Sequence, residues 1–176
     1  MKGNTIDRIS PEQALEILRR LARIDPKTKK KIENEAEKVL KEVDVEYICE
    51  KAYSALEGID VEDLWDRSGP SRYGYSGPED MAAVMMEEEL EPFTEEIFKY
   101  FEMGMANEAK PYCMGVLKGI YKYEQESKSK FKDWASDIPA ECFGYLLSEW
   151  KKKEAMRAIS GRWESSSRRN NAVYHL

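Results

Sequence analysis

Arg67, Arg72, Tyr73 and Tyr75 fall in the stretch Trp65-Asp66-Arg67-Ser68-Gly69-Pro70-Ser71-Arg72-Tyr73-Gly74-Tyr75-Ser76-Gly77-Pro78, where residue types are not set by helix building. The two guanidinium groups can grip a carboxylate or phosphate, and the two phenols can stack or donate hydrogen bonds. Gly74 lets a backbone or ligand come close, and an anion can rest on the helix start at Gly77. The same residues also suit a purely structural part. Trp65, Tyr73 and Tyr75 would then pin a long connection onto the helices, with Arg67 paired to a local acid.

A second cluster, Glu88, Glu91 and Glu95, lies on one face of a helix. Carboxylates at that spacing bind divalent cations or, joined by histidine, a di-iron centre. The only histidine, His175, stands at the end of the chain, so a Glu-x-x-His set cannot form, and the reading is a solvated acidic face or a dock for basic residues. Ser-His and Cys-His nucleophiles would need that same histidine. Neither Gly-x-x-x-x-Gly-Lys-Ser/Thr nor Gly-x-Gly-x-x-Gly occurs, and no carboxylate pair is singled out for acid/base work. Met81, Met85 and Met86 suit core filling or a pliable binding surface. Lys151-Lys152-Lys153, with Arg157, Arg162, Arg168 and Arg169, forms a basic stripe. With Trp163 it could touch RNA, although cations late in a helix also complement its dipole. No cofactor and no metal site is expected.

The elements that position these groups are helices. Ser10-Pro11-Glu12-Gln13 is a capping box with proline at the first helical position, followed by the stripe Ala14, Leu15, Leu18, Leu21, Ala22, which Ile17 and Ile24 broaden. Asp25-Pro26 starts a second helix and predicts a hairpin with the first. Asp44 caps a third, for which Gly58 is expected to supply a left-handed stop. Asp60 opens a short fourth, with Ile59 and Leu64 in the two positions of a hydrophobic staple that orients Trp65. Gly77-Pro78 opens a fifth, which Pro92 is expected to kink or split.

Residues 106–125 predict a central sixth helix, on which Gly115 and Gly119 sit one turn apart. Each glycine costs roughly 1 kcal/mol against alanine, a loss that close approach of a neighbouring backbone would offset. Phe131 and Trp134 anchor the next connection. Asp137-Ile138-Pro139 begins a seventh helix expected to end before Gly161, and 162–176 reads as a frayed polar tail. No strand is predicted. The expected fold is all-α, about seven amphipathic helices in antiparallel hairpins, as a helical bundle or a short array of HEAT or TPR type, with one domain over 1–161.

At 176 residues the chain can bury roughly 70% of the surface its unfolded form exposes. Hydrophobic residues at 41% and charged residues at 35% suit a soluble protein with long amphipathic helices better than a disordered or membrane one. The net charge of −6 is uneven: residues 1–103 hold 15 Lys+Arg against 25 Asp+Glu, and residues 104–176 hold 13 against 9. The two parts are expected to face each other or, for the basic end, an acidic partner. An acidic chain gathers too little cationic charge for general nucleic-acid binding. Cys49, Cys113 and Cys142 are odd in number, far apart and in apolar helical contexts, which predicts reduced, buried thiols. No apolar stretch of signal-peptide length opens the sequence, and a cytoplasmic location is expected.

The segment from Asp60 to Gly69, with Val61-Glu62-Asp63-Leu64-Trp65-Asp66-Arg67-Ser68-Gly69 after an Asp cap, followed by Tyr73-Gly74-Tyr75, resembles uncharacterised prokaryotic helical-repeat proteins, some associated with SWIM-type zinc fingers. The resemblance covers residues 44–150. It implies a helical interaction region without an assigned chemistry, and the zinc ligands of such fingers have no counterpart here. The expected function is a non-enzymatic interaction or scaffold module that binds a protein partner through residues 66–77 and adjacent grooves. The alternative is a small-ligand binder or enzyme using Arg67, Arg72, Tyr73 and Tyr75 with nearby carboxylates.

Overall fold

The structure, a computed structural model, describes residues 5–72 and 74–173. It is all-α, with seven α-helices among the described residues and one small antiparallel hairpin. The chain divides into two compact units, Met1–Val43 and Asp44–Leu176. No helix among the described residues is long and apolar enough to cross a membrane.

The first unit is a helical hairpin preceded by a 3-10 turn at Thr5–Arg8. Helix α1, Pro11–Ile24, starts with the full capping box: Gln13 N–H donates to Ser10 Oγ at 3.3 Å, and Ser10 N–H donates to Gln13 Oε1 at 2.9 Å. Helix α2, Pro26–Lys41, is capped by Asp25, whose Oδ1 accepts from the N–H groups of Lys27 and Thr28 at 2.7 and 2.9 Å. The predicted hairpin is thus present, and each helix has proline where its missing N–H leaves no helical bond unmade. Neither helix has a buried residue.

The second unit holds the core. Helix α3, Val45–Glu57, is capped by Asp44, and α4, Val61–Arg67, by Asp60. Ile59 and Leu64 are both buried in the core cluster, as the staple requires. Gly58 departs from expectation. Its φ of −77° is right-handed, so α3 ends by hydrogen bonds from Gly58 N–H to the Ser54 and Ala55 carbonyls. The left-handed stop is at Gly104 instead, with φ of +72°. There Met105 N–H bonds to Tyr100 O and Gly104 N–H to Phe101 O, the paired pattern that closes helix α5.

Helix α5 runs Pro78–Glu102 without splitting at Pro92. Proline leaves the Glu88 carbonyl without its helical donor, but Leu90, Ile97 and Tyr100 on either side are buried, and their packing outweighs one lost bond. Helix α6, Ala106–Glu126, is the most buried element, as expected, with Val116, Ile120 and Tyr123 inside. A 3-10 turn at Lys130–Trp134 buries Phe131, and its Trp134 ring meets the Trp65 ring edge-on with centroids 4.7 Å apart. Trp65 is therefore oriented by packing.

The glycine pair sets the closest helix contact. A Cβ on Gly115 would lie 2.7 Å from Ile48 Cβ and 2.8 Å from the Val45 carbonyl. One on Gly119 would lie 2.7 Å from both Ala52 Cβ and the Cys49 carbonyl. Residue numbers rise together on the two helices, so α3 and α6 run parallel, a pairing outside the expected antiparallel hairpins. Lys118 pairs with Glu46, and Lys122 with Glu50 at 2.6 Å, so the basic and acidic parts do meet across this contact.

Helix α7, Ile138–Val173, continues through Gly161, where an end was expected. A glycine in a helix interior costs about 1 kcal/mol, and no proline follows to force a stop. The backbone of 162–173 continues this helix, and residues 174–176 lie outside the described residues.

Candidate functional site

The stretch between α4 and α5 is a β-hairpin, which the sequence reading missed. Strands β1, Gly69–Ser71, and β2, Gly74–Ser76, pair antiparallel with Gly69 opposite Ser76, Pro70 opposite Tyr75 and Ser71 opposite Gly74. Gly69 at φ +113° and Gly74 at φ +131° occupy backbone conformations that L side chains rarely adopt. Ser68 ends α4 by folding its hydroxyl back to donate to the Leu64 carbonyl at 2.6 Å.

The hairpin carries Arg72 and Tyr75, and Arg67 closes the helix before it. Arg67 is held by Glu88: Nη1 donates to Oε2 at 2.7 Å and Nη2 to Oε1 at 2.8 Å. The pairing raises the guanidinium pKa further and holds the Glu88 carboxyl below its ordinary value, the hydrogen bonds being the main cause of both. Arg72 is exposed in the turn, and Tyr75 is 74% exposed on β2. Tyr73 lies outside the described residues. At the start of α5, the Asp80 carboxylate sits 3.6 Å from where a Gly77 Cβ would be, so an acid of the chain's own already covers that helix end.

A concavity lies behind Glu88. An open groove of about 750 Å³ runs between α5 and α7 over Ile120 of α6. Leu90 and Phe98 of α5 with Ile138, Cys142 and Leu146 of α7 make its apolar floor, and Val84 and Tyr145 stand exposed at its mouth. Glu87, Glu88, Glu91 and Glu95 on α5, with Glu141 on α7, supply its charge. Glu88, Glu91 and Glu95 thus do share a face. Glu88 has its cation in Arg67; among the described residues no ion pair forms at Glu87, Glu91, Glu95 or Glu141. Sequence reading reached the acidic wall but not the opposite one, Cys142 and Tyr145, because the pairing of α5 with α7 is a long-range event. The visible signal was Val84 and Phe98 interrupting an acidic face.

Other candidate groups are structural. Met85 and Met86 are buried and Met81 packs against the core, so the methionines fill it. Cys113 and Cys142 have thiol pKa values pushed up to about 12 and about 11 by burial, and Cys49 is raised for the same reason. Lys152 pairs with Glu149 at 2.5 Å, Arg157 with Glu154 at 3.2 Å, and Lys153 lies 4.9 Å over the Phe98 ring, which ties much of the basic run to its own helix and to α5. The side chains of Arg162, Trp163, Arg168 and Arg169 lie outside the described residues. Among the described residues no three His, Cys, Asp or Glu side chains gather as a metal site. The chain matches no family model, no curated protein and no solved structure.

Proposed function

We propose that this protein is a non-enzymatic interaction module, and that the groove between α5 and α7 receives a cationic amphipathic helix of a protein partner. The observation that carries the reading is the joint presence of an apolar floor and a glutamate rim, of which, among the described residues, only Glu88 is matched by a cation. A helix laid in such a groove buries its apolar face on Leu90, Phe98 and Leu146 and sets lysines or arginines against Glu87, Glu91, Glu95 and Glu141. The charge steers encounter and selects sign, while the floor supplies most of the affinity. The helical interaction region implied by the resemblance of residues 44–150 agrees with this use. A ligand-binding or enzymatic role for Arg67, Arg72, Tyr73 and Tyr75 has less support, since Glu88 already occupies Arg67.

The test is fluorescence anisotropy with a labelled leucine/lysine amphipathic peptide of roughly five helical turns, and its leucine/glutamate counterpart as control. The lysine peptide should bind, weaken with salt, and be lost in the Glu87→Lys, Glu91→Lys, Glu95→Lys triple variant. Equal binding of the two peptides, or an unaffected triple variant, would overturn the reading.

A further inference from the structure

The α1–α2 hairpin carries an apolar surface that its own two helices do not cover. On α1, Leu15, Ile17, Leu18 and Leu21 remain 39–48% exposed and Ile24 70%; on α2, Val39 is 69% exposed. A two-helix unit of this length lies at the limit below which chains need a disulfide, a metal or association to hold together. The chain's cysteines all lie beyond it, at 49, 113 and 142. Six half-open side chains leave on the order of 500 Å² of apolar surface per copy, so a pair of hairpins would bury about 1,000 Å², the threshold for a specific interface.

The charges beside the stripe name the occupant. Glu12 and Arg19 are seven residues apart on α1 and so lie along the same edge of the apolar face. Glu16 is already bonded to Arg20 at 2.8 Å, but neither Glu12 nor Arg19 forms an ion pair within the described chain; Glu12 accepts from the Ser10 hydroxyl and from its own backbone. In a two-fold arrangement with the α1 helices antiparallel, Glu12 meets the partner's Arg19 and Arg19 meets the partner's Glu12, whereas a parallel arrangement brings no such exchange about the axis. A membrane-surface helix would instead carry one sign of charge at this edge.

We propose that two copies of this chain associate through their α1–α2 hairpins, forming a two-fold, antiparallel four-helix bundle that covers the Leu15–Leu18–Leu21 stripe. The proposal is independent of the groove between α5 and α7.

Sedimentation velocity of the full chain up to about 100 µM should give twice the 20.5 kDa mass of one chain. Leu18→Glu should give monomers with unchanged helical circular dichroism. Glu12→Arg and Arg19→Glu should each weaken association by about tenfold, and the double exchange, which rebuilds both pairs with reversed polarity, should restore it. Monomers at every concentration, a dimer that survives Leu18→Glu, or a double exchange no better than its single variants would each overturn the proposal. If the wild type is monomeric, co-sedimentation with phosphatidylserine vesicles would assign the stripe to lipid.

Discussion

Arg67 meets Glu88 through two parallel hydrogen bonds, 2.7 and 2.8 Å, across 21 residues of sequence. This fork joins the last turn of α4 to the rim of the α5–α7 groove, with the β-hairpin strung between its two ends.

The pair makes stability depend on acid. Its folded-state Glu88 carboxyl lies below the ordinary value near 4.3, so its contribution is complete above that value and is lost as pH falls through the folded one. Glu88→Gln should therefore have a lower Tm than wild type at pH 7, and the difference should close in acid below about pH 4. Thermal melts of both proteins at several pH values check this. A gap that widens in acid would contradict the assignment.

Glycine substitutions should split by position. Gly115→Ala and Gly119→Ala place a methyl 2.7–2.8 Å from α3 backbone and Cβ atoms, which requires the helices to separate. Overpacking of this kind costs about 1–3 kcal/mol and outweighs the gain of roughly 1 kcal/mol in helix propensity. Gly144 on α7 has nothing within 4 Å of such a methyl, so Gly144→Ala should stabilise by about 0.5–1 kcal/mol. Urea denaturation of the three variants should show the two signs.

Thiol labelling should be slow and ordered. Raised pKa values leave little thiolate at pH 7, and Cys142 is the one thiol of the three that is not fully buried. Timed alkylation with mass spectrometry should modify Cys142 first, with Cys49 and Cys113 reacting only after denaturation. Because Cys142 lines the groove, a bound lysine peptide should slow its labelling further.

Tyr123 is fully buried, and its hydroxyl makes no hydrogen bond of good geometry although Ser127, Ser129 and Glu57 are near enough to act on its ionisation. Burying such a group unpaired costs about 1–3 kcal/mol. Tyr123→Phe should therefore fold and be at least as stable as wild type, as read by its denaturation midpoint.

The starts of helices were legible because their chemistry is local. Ser10, Asp25, Asp44 and Asp60 each cap the helix that follows, by bonds to backbone within three residues. Gly115 and Gly119 were legible too, since their cost in a helix calls for a close neighbour. Helix ends were less so: Gly58 and Gly104 are the same residue type, and only the bonds from Gly104 and Met105 distinguish the left-handed one. The β-hairpin escaped notice because Gly69-Pro70-Ser71 and Gly74-Tyr75-Ser76 hold no β-branched residue and do not alternate in polarity. Pairing of Arg67 with a local acid is one of the two readings the sequence leaves open; that the acid is Glu88, 21 residues on and at the lip of a groove completed by Cys142 and Tyr145, depends on which helices meet.

The parallel contact of α3 with α6 also sets an order of events. Its residues are about 70 positions apart, and at a synthesis rate of roughly 5–20 residues per second α3 must wait several seconds on the ribosome for its partner. During that interval the small-residue face of Ala52 and Cys49 has nothing to pack on. An arrest after residue 105 would therefore leave α3 with its smaller contact on α5 but without α6, its main partner.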